Sequence, residues 1–249
     1  APWITDCTYS TSFAFTLPRT FLLKVRGLFY KMLCDSLVRR FISVMQNKSH
    51  AVMSQRFESI NSLDDFPTPP WATRSLFKYV LNKDKLINQK CMEPACGRGF
   101  MAEVLKEYFL KVDASDIHDY GYGEVKNFLA TGEIKTDWII TNPPFNLAEE
   151  FVINALSQAR SGVAILVRTV FLEGIGRYKR LFSLFPPTFL AQFVERVPIV
   201  KGRVDSKVSS ATSYAWFVWK KPTIKSETKV LWIPPCRKEL EKEEDYNGL

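Results

Sequence analysis

Two consecutive prolines behind an apolar run constrain this chain more than any other feature of its sequence. Residues 138–140 (Trp-Ile-Ile) are typical of a short buried strand, and residues 141–145 (Thr-Asn-Pro-Pro-Phe) follow directly. Proline has no N–H to donate to a sheet ladder, so the strand must end before Pro143. The pattern predicts a rigid turn at the carboxyl end of a strand, which is where open α/β sheets bind their ligands.

The residues of this turn suit a ligand that carries an exocyclic amine. Such an amine is a weak nucleophile, because its lone pair is delocalised into the ring. The side-chain oxygen of Asn142 and a carbonyl of Pro143 or Pro144 can accept both amine hydrogens and leave the lone pair directed at an electrophile. Phe145 can stack on the ring. The alternative is a plain turn that only ends the strand.

A second motif precedes this turn and predicts a strand, a glycine turn and a helix. Residues 91–100 read Cys-Met-Glu-Pro-Ala-Cys-Gly-Arg-Gly-Phe, in which Gly97 and Gly99 allow the backbone to approach a ligand closely. Asp116 lies 19 positions after Gly97, where an acid can bind ribose hydroxyls or can simply be a solvated strand end. This spacing also fits an NAD-dependent oxidoreductase, but that class leaves the turn at Asn142 unexplained.

Taken together, the motifs resemble those of a known family. Glu-Pro-Ala-Cys-Gly-x-Gly, an acid after the next strand and Asn-Pro-Pro-Phe resemble the S-adenosylmethionine-dependent amino-methyltransferases. The closer resemblance is to the small N6-adenine DNA methyltransferases of phages and prophages, and it extends from about residue 53 to about residue 222. It implies S-adenosylmethionine as cofactor, DNA as partner and N6 of adenine as the methylated atom.

The resemblance also implies which residues form the site. The segment that holds the methionine part of the cofactor corresponds to Glu93, Pro94, Ala95, Cys96, Gly97 and Gly99. The ribose acid corresponds to Asp116, and the turn that binds the target amine corresponds to Asn142, Pro143, Pro144 and Phe145. A further family element, Thr-Pro-x-Trp-Ala, corresponds to Thr68, Pro69, Trp71 and Ala72, and implies a place at the cofactor for Thr68 and Trp71.

One position departs from the family pattern. Relatives usually carry Asp-Phe-Leu after the third strand, and that acid accepts the amine of the cofactor's adenine. Residues 127–129 of this chain are Asn-Phe-Leu. The amide oxygen of Asn127 can accept the same hydrogen bond without the charge, so we expect Asn127 at the cofactor with a weaker contact.

Strands and helices alternate along residues 90–170, which predicts a parallel sheet with helices on both faces. The expected fold class is α/β, doubly wound and mostly parallel, and the resemblance implies a Rossmann-like methyltransferase fold. Residues 193–199 and 214–220 are predicted as a C-terminal antiparallel hairpin. The methyltransferase domain is expected over residues 53–236, followed by a charged tail, residues 237–249, that is predicted to be disordered.

Residues 1–52 match none of these motifs and form an N-terminal extension. They contain seven Lys/Arg against two Asp/Glu, and residues 19–46 can form an amphipathic helix. The extension can pack on the catalytic domain, or act as a basic helix that touches nucleic acid or a membrane. A third interpretation, slightly favoured by the polar start at residues 53–57, is a translated leader ahead of a natural start at Met53.

The net charge of +8 favours an anionic partner. Residues 168–207 contain eight Lys/Arg against three Asp/Glu, which indicates a phosphate-binding surface or, alternatively, a solvated face. The candidate nucleic-acid contacts are Arg177, Lys201, Arg203 and Lys207. Because the same turn serves RNA and protein glutamine amides, both stay open as substrates, as does a catalytically silent nucleic-acid-binding protein.

Cysteine and histidine usage argues against a disulfide scaffold and against a zinc site. The chain has five cysteines, two histidines and no Cys-x-x-Cys motif, so no metal is expected. No uncharged apolar run is long enough to cross a bilayer, so no membrane partner is expected either. A reducing, cytoplasmic location is the simplest expectation for such a chain.

Overall fold

The computed structural model describes residues 65–81, 83–132, 134–205, 208, 210–222 and 227–246. The predicted extension over residues 1–52, the start at Met53 and the candidate contact Lys207 therefore lie outside the described residues. Within the described ranges, no helix is both long enough and apolar enough to cross a membrane.

Eight strands form a mixed sheet in the spatial order β3-β2-β1-β4-β5-β7-β6-β8. In chain order they are β1 (Lys90–Glu93), β2 (Lys111–Asp116), β3 (Glu124–Val125), β4 (Thr136–Thr141), β5 (Ala159–Arg168), β6 (Phe189–Phe193), β7 (Tyr214–Lys220) and β8 (Lys229–Ile233). Strands β1 to β5 pair in parallel, whereas β7 runs antiparallel to both β5 and β6. This arrangement confirms the predicted α/β fold with its antiparallel hairpin.

Two strand assignments differ from the prediction. Strand β6 ends at Phe193, whereas the predicted strand began there and continued to residue 199. Pro198 cannot donate to a ladder, so the apolar pattern at Val197 and Ile199 reflects burial in the core and not a strand. Strand β8 was not predicted, and it adds to the edge of the sheet in parallel with β6.

The helices cover both faces of this sheet. They are α1 (Pro70–Tyr79), α2 (Phe100–Lys106), α3 (Ala148–Gln158), α4 (Ile175–Arg177) and α5 (Arg237–Leu240). Short 3-10 segments lie at Lys83–Lys85, Phe128–Ala130, Phe145–Leu147, Thr169–Leu172 and Glu243–Tyr246, and a π-helical turn lies at Tyr178–Phe182. Helix α1 starts with Pro70 at its first position, where the missing N–H has no intrahelical partner to lose.

Alternate residues of the central strands enter two separate hydrophobic clusters. In β4, Trp138 and Ile140 pack with α1 and α2, whereas Ile139 packs with α3 on the opposite face. Strand β5 alternates in the same way, with Leu166 in the first cluster and Ile165 in the second. Burial on both faces explains why these strands appear in the sequence as continuous apolar runs.

The described residues of the predicted tail, up to Tyr246, form short helical turns that contact the domain. The buried guanidinium of Arg74 on α1 donates to both carboxylate oxygens of Asp245, at 2.7 and 2.8 Å, and to the carbonyl of Leu240. The same guanidinium binds the carboxylate of Glu107. The acidic composition of the tail does not reveal that the buried guanidinium of Arg74 binds Asp245 and the carbonyl of Leu240.

Replacing Arg74 with Met should destabilise the protein and release the tail. The change leaves the carboxylate of Asp245, whose side chain is 4% exposed, without its partner, so we expect the free energy of unfolding to fall by about 3 kcal/mol. Chemical denaturation measures this loss. As a control, Lys111→Met removes an exposed pair with Asp113 and should leave stability nearly unchanged. Equal effects of the two changes would contradict the assigned role.

Candidate active site

The carboxyl ends of three parallel strands meet at a cavity of about 280 Å³. Glu93 is the last residue of β1, Asp116 is the last residue of β2, and Asn142 directly follows β4. All three line the cavity, as do Phe66, Thr68, Ala95, Cys96, Gly97, Pro143, Pro144 and Phe145. The structure thus brings together most of the predicted site residues, although they come from four separate segments of the chain.

The glycine turn between β1 and α2 has the geometry that its sequence predicts. Gly97 and Gly99 both adopt positive φ, of 50° and 89°. A Cβ atom at Gly97 would meet no atom within 4 Å, so space for a ligand is open at this position. At Gly99 a Cβ would lie 2.6 Å from the ring of Tyr122, so the ring fills that space instead. The backbone N–H of Gly97 donates to Asp116 at 2.9 Å, which connects the turn to β2.

The two acids that line the cavity differ in their surroundings. Glu93 is 2% exposed, and its Oε2 atom has no hydrogen-bond partner within the described residues. Burial raises the pKa of the Glu93 carboxyl well above its usual range, and the nearby charge of Asp116 raises it further. Asp116 accepts the N–H groups of Gly97 and His118. The Glu93 carboxyl interacts with the backbone of Ala102, which partly offsets the rise in its pKa, so the cavity offers one buried carboxyl oxygen, Oε2, that a cationic group could satisfy.

The side-chain amide of Asn142 is held in one orientation. Its Nδ2 atom donates to the carbonyl of Phe66 at 3.2 Å and to the hydroxyl of Thr68 at 3.1 Å. A carbonyl can only accept, so the nitrogen must face Phe66 and the oxygen must face the other way. That oxygen is shielded from solvent and has no hydrogen bond within the part of the chain that the structure describes. It is a fixed and unused acceptor.

The side chain of Thr68 contacts the target turn and does not cap helix α1. The residue that precedes α1 is Pro69, and no side chain caps the helix. The Thr68 hydroxyl instead accepts from Asn142, so it contacts the predicted target turn and not the helix N-terminus.

The proline pair offers one free carbonyl, and Phe145 offers an aromatic face. The carbonyl of Pro144 accepts the N–H of Leu147 at 3.0 Å. Pro143 lines the cavity, and its carbonyl has no hydrogen-bond partner among the described residues. The ring of Phe145 lies 5.6 Å from that of Phe66 and is tilted by 49°. The turn thus contains two acceptors without a partner among the described residues, Asn142 Oδ1 and the Pro143 carbonyl, next to an aromatic ring.

Four residues predicted at the cofactor do not line the cavity. Trp71 is fully buried, packs edge-on against Phe193 in the core and does not line the cavity. The Asn127 side chain accepts the N–H of Leu129 at 3.0 Å and caps a 3-10 segment. Pro94 and Gly99 belong to the glycine turn, but neither contributes to the cavity wall.

The predicted nucleic-acid contacts have unequal surroundings. The guanidinium of Arg177 donates to the carbonyls of Phe171 and Glu173 and stacks 4.2 Å from the Phe171 ring, so it supports the local fold. Arg203 is exposed and pairs with Asp205. Lys201 and Arg203 flank Gly202, which contacts the cavity-lining residues Asp65 and Arg98.

Sequence reasoning missed Arg98, which lies between the two glycines of the turn and lines the cavity. Its guanidinium pairs with Asp65 at 3.3 Å and donates to the carbonyl of Gly202 at 2.7 Å. The N–H of Gly202 in turn donates to the carbonyl of Asp65 at 2.8 Å. The basic loop around Gly202 therefore lies at the wall of the cavity. No group of three or more His, Cys, Asp or Glu that could hold a metal occurs in the described ranges.

No protein-family model matches the chain, and no curated protein matches it. Among solved structures, a modification subunit assigned to a type I restriction enzyme from Vibrio vulnificus has a TM-score of 0.50 at 12% identity, and the match covers 86% of this chain and 56% of that chain. A protein assigned as an RNA methyltransferase from Pyrococcus horikoshii has a TM-score of 0.49 at 14% identity, covering 64% and 88%. This chain spans just over half of the Vibrio protein, and the likeness shows the fold.

The two glycines of the turn should tolerate alanine unequally. Gly99→Ala places a Cβ against the Tyr122 ring at a positive φ, whereas Gly97→Ala meets open space. We expect Gly99→Ala to lower the free energy of unfolding by about 2 kcal/mol or more and Gly97→Ala by about 1 kcal/mol. Thermal and chemical denaturation of both variants measure the difference. A larger loss at Gly97 would show that the turn has another geometry.

Proposed function

We propose that this protein is an S-adenosylmethionine-dependent methyltransferase that methylates N6 of adenine in DNA. The observation that carries the proposal is the amide of Asn142. Both of its hydrogens are engaged by Phe66 and Thr68, which leaves its oxygen as a fixed acceptor at the wall of a cavity. A glycine turn and two acids that suit the methyl donor line the same cavity.

The residues of the cavity fit the methyl donor. The Oε2 atom of Glu93, which has no partner among the described residues, would accept from the ammonium of its methionine part, and the open space at Gly97 admits the ligand close to the backbone. Asp116 would accept the ribose hydroxyls, since a carboxylate that accepts two N–H groups keeps further lone pairs. When bound, S-adenosylmethionine supplies an electrophilic methyl group on its sulfonium.

The target amine would bind at residues 142–144. One amine hydrogen would be accepted by Asn142 Oδ1 and the other by the carbonyl of Pro143, so the nitrogen lone pair is drawn out of the ring. An adenine within a duplex is stacked, so it must be extruded to reach this turn, and Phe145 would then stack on it. Positioning of the amine by fixed acceptors is the contribution of this chain to the transfer.

The surroundings of the cavity support a nucleic acid as the substrate. Lys201 and Arg203 lie on the loop whose Gly202 contacts Asp65 and Arg98 at the cavity wall. The family element at Thr68 and Pro69 favours DNA over RNA. Methyltransferases of RNA or of protein glutamine would use the same turn, and analysis of the methylated product distinguishes the three substrates.

Replacing Asn142 with Ala should lower turnover by about a hundredfold and leave donor binding nearly unchanged, because one of the two amine acceptors is lost. Phe145→Ala should chiefly weaken capture of the base, and Phe145→Tyr should retain activity because the stacking face remains. Transfer from labelled donor to DNA, RNA and protein in parallel measures these rates. Mass spectrometry of nucleosides from the treated DNA should show N6-methyladenine.

Asn154→Ala provides a matched control for the Asn142 variant. Asn154 lies on α3, and its amide donates to the carbonyl of Phe128 away from the cavity. Its removal should leave turnover unchanged once the folded fraction is equal. N4-methylcytosine as product would keep the mechanism and correct the base, whereas product only in RNA or protein would overturn the assignment to DNA.

Binding of the donor product S-adenosylhomocysteine should release a proton from Glu93. The free protein holds this carboxyl with a raised pKa, and the ammonium of the ligand favours its ionised form. Affinity should therefore rise as the pH increases from the ordinary glutamate range to the raised pKa, and should be constant above it. Calorimetry in two buffers with different ionisation enthalpies measures the released proton.

Glu93→Gln should remove this proton release and weaken binding about tenfold or more, because a charge-assisted contact is lost. Asp113→Asn is the control, since Asp113 lies on β2 with only an exposed pair to Lys111. Proton release that persists in Glu93→Gln would assign the ammonium to another group.

A further inference from the structure

We propose that Arg168 binds the phosphodiester group next to the extruded adenine, and so restricts the reaction to bases within a nucleic acid. This inference rests on the proposed function and assigns a specific substrate contact to one residue of the basic stretch 168–207, which is not among the four candidate contacts named from the sequence. It follows from the position, the partners and the chemistry of one guanidinium.

Arg168 lies at the same edge of the sheet as the target turn. It is the last residue of β5, which pairs in parallel with β4. In this register Thr141 is opposite Ile165, so β5 continues beyond the end of β4 and brings Arg168 level with the turn that follows. The guanidinium carbon of Arg168 is 4.0 Å from the centre of the Phe145 ring.

The guanidinium of Arg168 has no anionic partner in the described part of the chain. Its contact with Phe145 is a cation–π interaction, and its Nε atom is shielded and makes no hydrogen bond. Other arginines of the domain are neutralised by carboxylates: Arg74 by Glu107 and Asp245, Arg180 by Glu149, Arg203 by Asp205. Arg168 therefore keeps its full charge and its donors at the edge of the site.

Stacking gives these donors a defined direction. A guanidinium that lies over an aromatic ring has its N–H groups at its own edge, and this planar fork matches two oxygens of a phosphate. Phe145 lines the cavity and Arg168 does not, so the base and the arginine use different parts of the same ring. A base bound against Phe145 would bring its backbone to the edge where Arg168 lies.

This placement distinguishes classes of substrate. A glutamine side chain in a protein and free adenine both offer an amide or amine to Asn142, but neither carries a phosphate. An arginine that contacts the backbone contributes to binding only when the amine belongs to a nucleotide chain. The guanidinium would also hold Phe145 in position, and the test must separate this structural role from binding of the phosphate.

The test compares two chemical changes, one in the protein and one in the DNA. Each single-stranded oligonucleotide carries one adenine, flanked by randomised bases of the other three types. In separate substrates, the linkage on one side of that adenine or the linkage on the other side is a neutral methylphosphonate, and the reference substrate has phosphodiesters at both. For the unaltered protein, kcat/KM should fall about tenfold or more with the methylphosphonate at one of the two linkages. Arg168→Gln should show a similar fall on ordinary DNA and no further fall on that methylphosphonate.

Two variants control for charge and for folding. Arg160→Gln removes the same charge from the opposite end of β5, where Arg160 lies 3.6 Å from Asp137, and should retain the full methylphosphonate effect. Arg168→Lys keeps the charge and loses the planar fork, so part of the methylphosphonate effect should persist even where packing on Phe145 is weakened. Thermal melts of each variant measure whether the folded fractions are equal.

Two outcomes would contradict the role of Arg168, and a third would contradict the proposed function. An undiminished methylphosphonate effect in Arg168→Gln would overturn the proposal and leave Arg168 with only a packing role on Phe145. The absence of any effect at both linkages in the unaltered protein would overturn it as well. If the unaltered protein methylates no nucleic acid at all, the proposed function itself fails.

Discussion

Parallel pairing of β1, β2 and β4 is the constraint on which the rest of this structure depends. Parallel strands end at the same edge of a sheet, so Glu93, Asp116 and Asn142 meet there although long connections separate them in the chain. The residues that follow each strand then determine what the edge can bind. The glycine turn after β1 leaves open space at Gly97, and the proline pair after β4 ends the ladder and leaves the carbonyl of Pro143 without a partner among the described residues.

The carboxyl of Glu93 lies in surroundings that oppose its ionisation. Glu93 is buried beside Asp116, and neither burial nor a neighbouring acid favours its ionised form. A domain that needed only stability would place an apolar residue at this position or pair the acid with a base. In the proposed function, a cationic ligand would satisfy the Oε2 atom that lacks a partner among the described residues, and it would favour the ionised form of the carboxyl.

The predicted residues that the structure brings to one cavity include those whose positions the backbone decides. Gly97, Asp116 and Asn142 lie at strand ends that glycine and proline fix, so their positions follow from local chemistry. Trp71 and Asn127 matched a family pattern, but the pattern does not say what a side chain contacts, and both have partners elsewhere. The contact between Arg168 of β5 and the ring of Phe145 could not be predicted, because it depends on which residues of β4 and β5 lie opposite each other.

Residues 65–68 join the separate parts of the site. Asp65 contacts Arg98 of the glycine turn and Gly202 of the basic loop, while Phe66 and Thr68 hold the amide of Asn142. Two prolines in residues 67–69 restrict the backbone of this segment, so little conformational freedom is lost in holding the amide. The orientation of Asn142 is thus fixed before any ligand arrives. In the proposed function, an acceptor fixed in advance would need no reorganisation on binding the amine, which is the condition under which such contacts accelerate a reaction most.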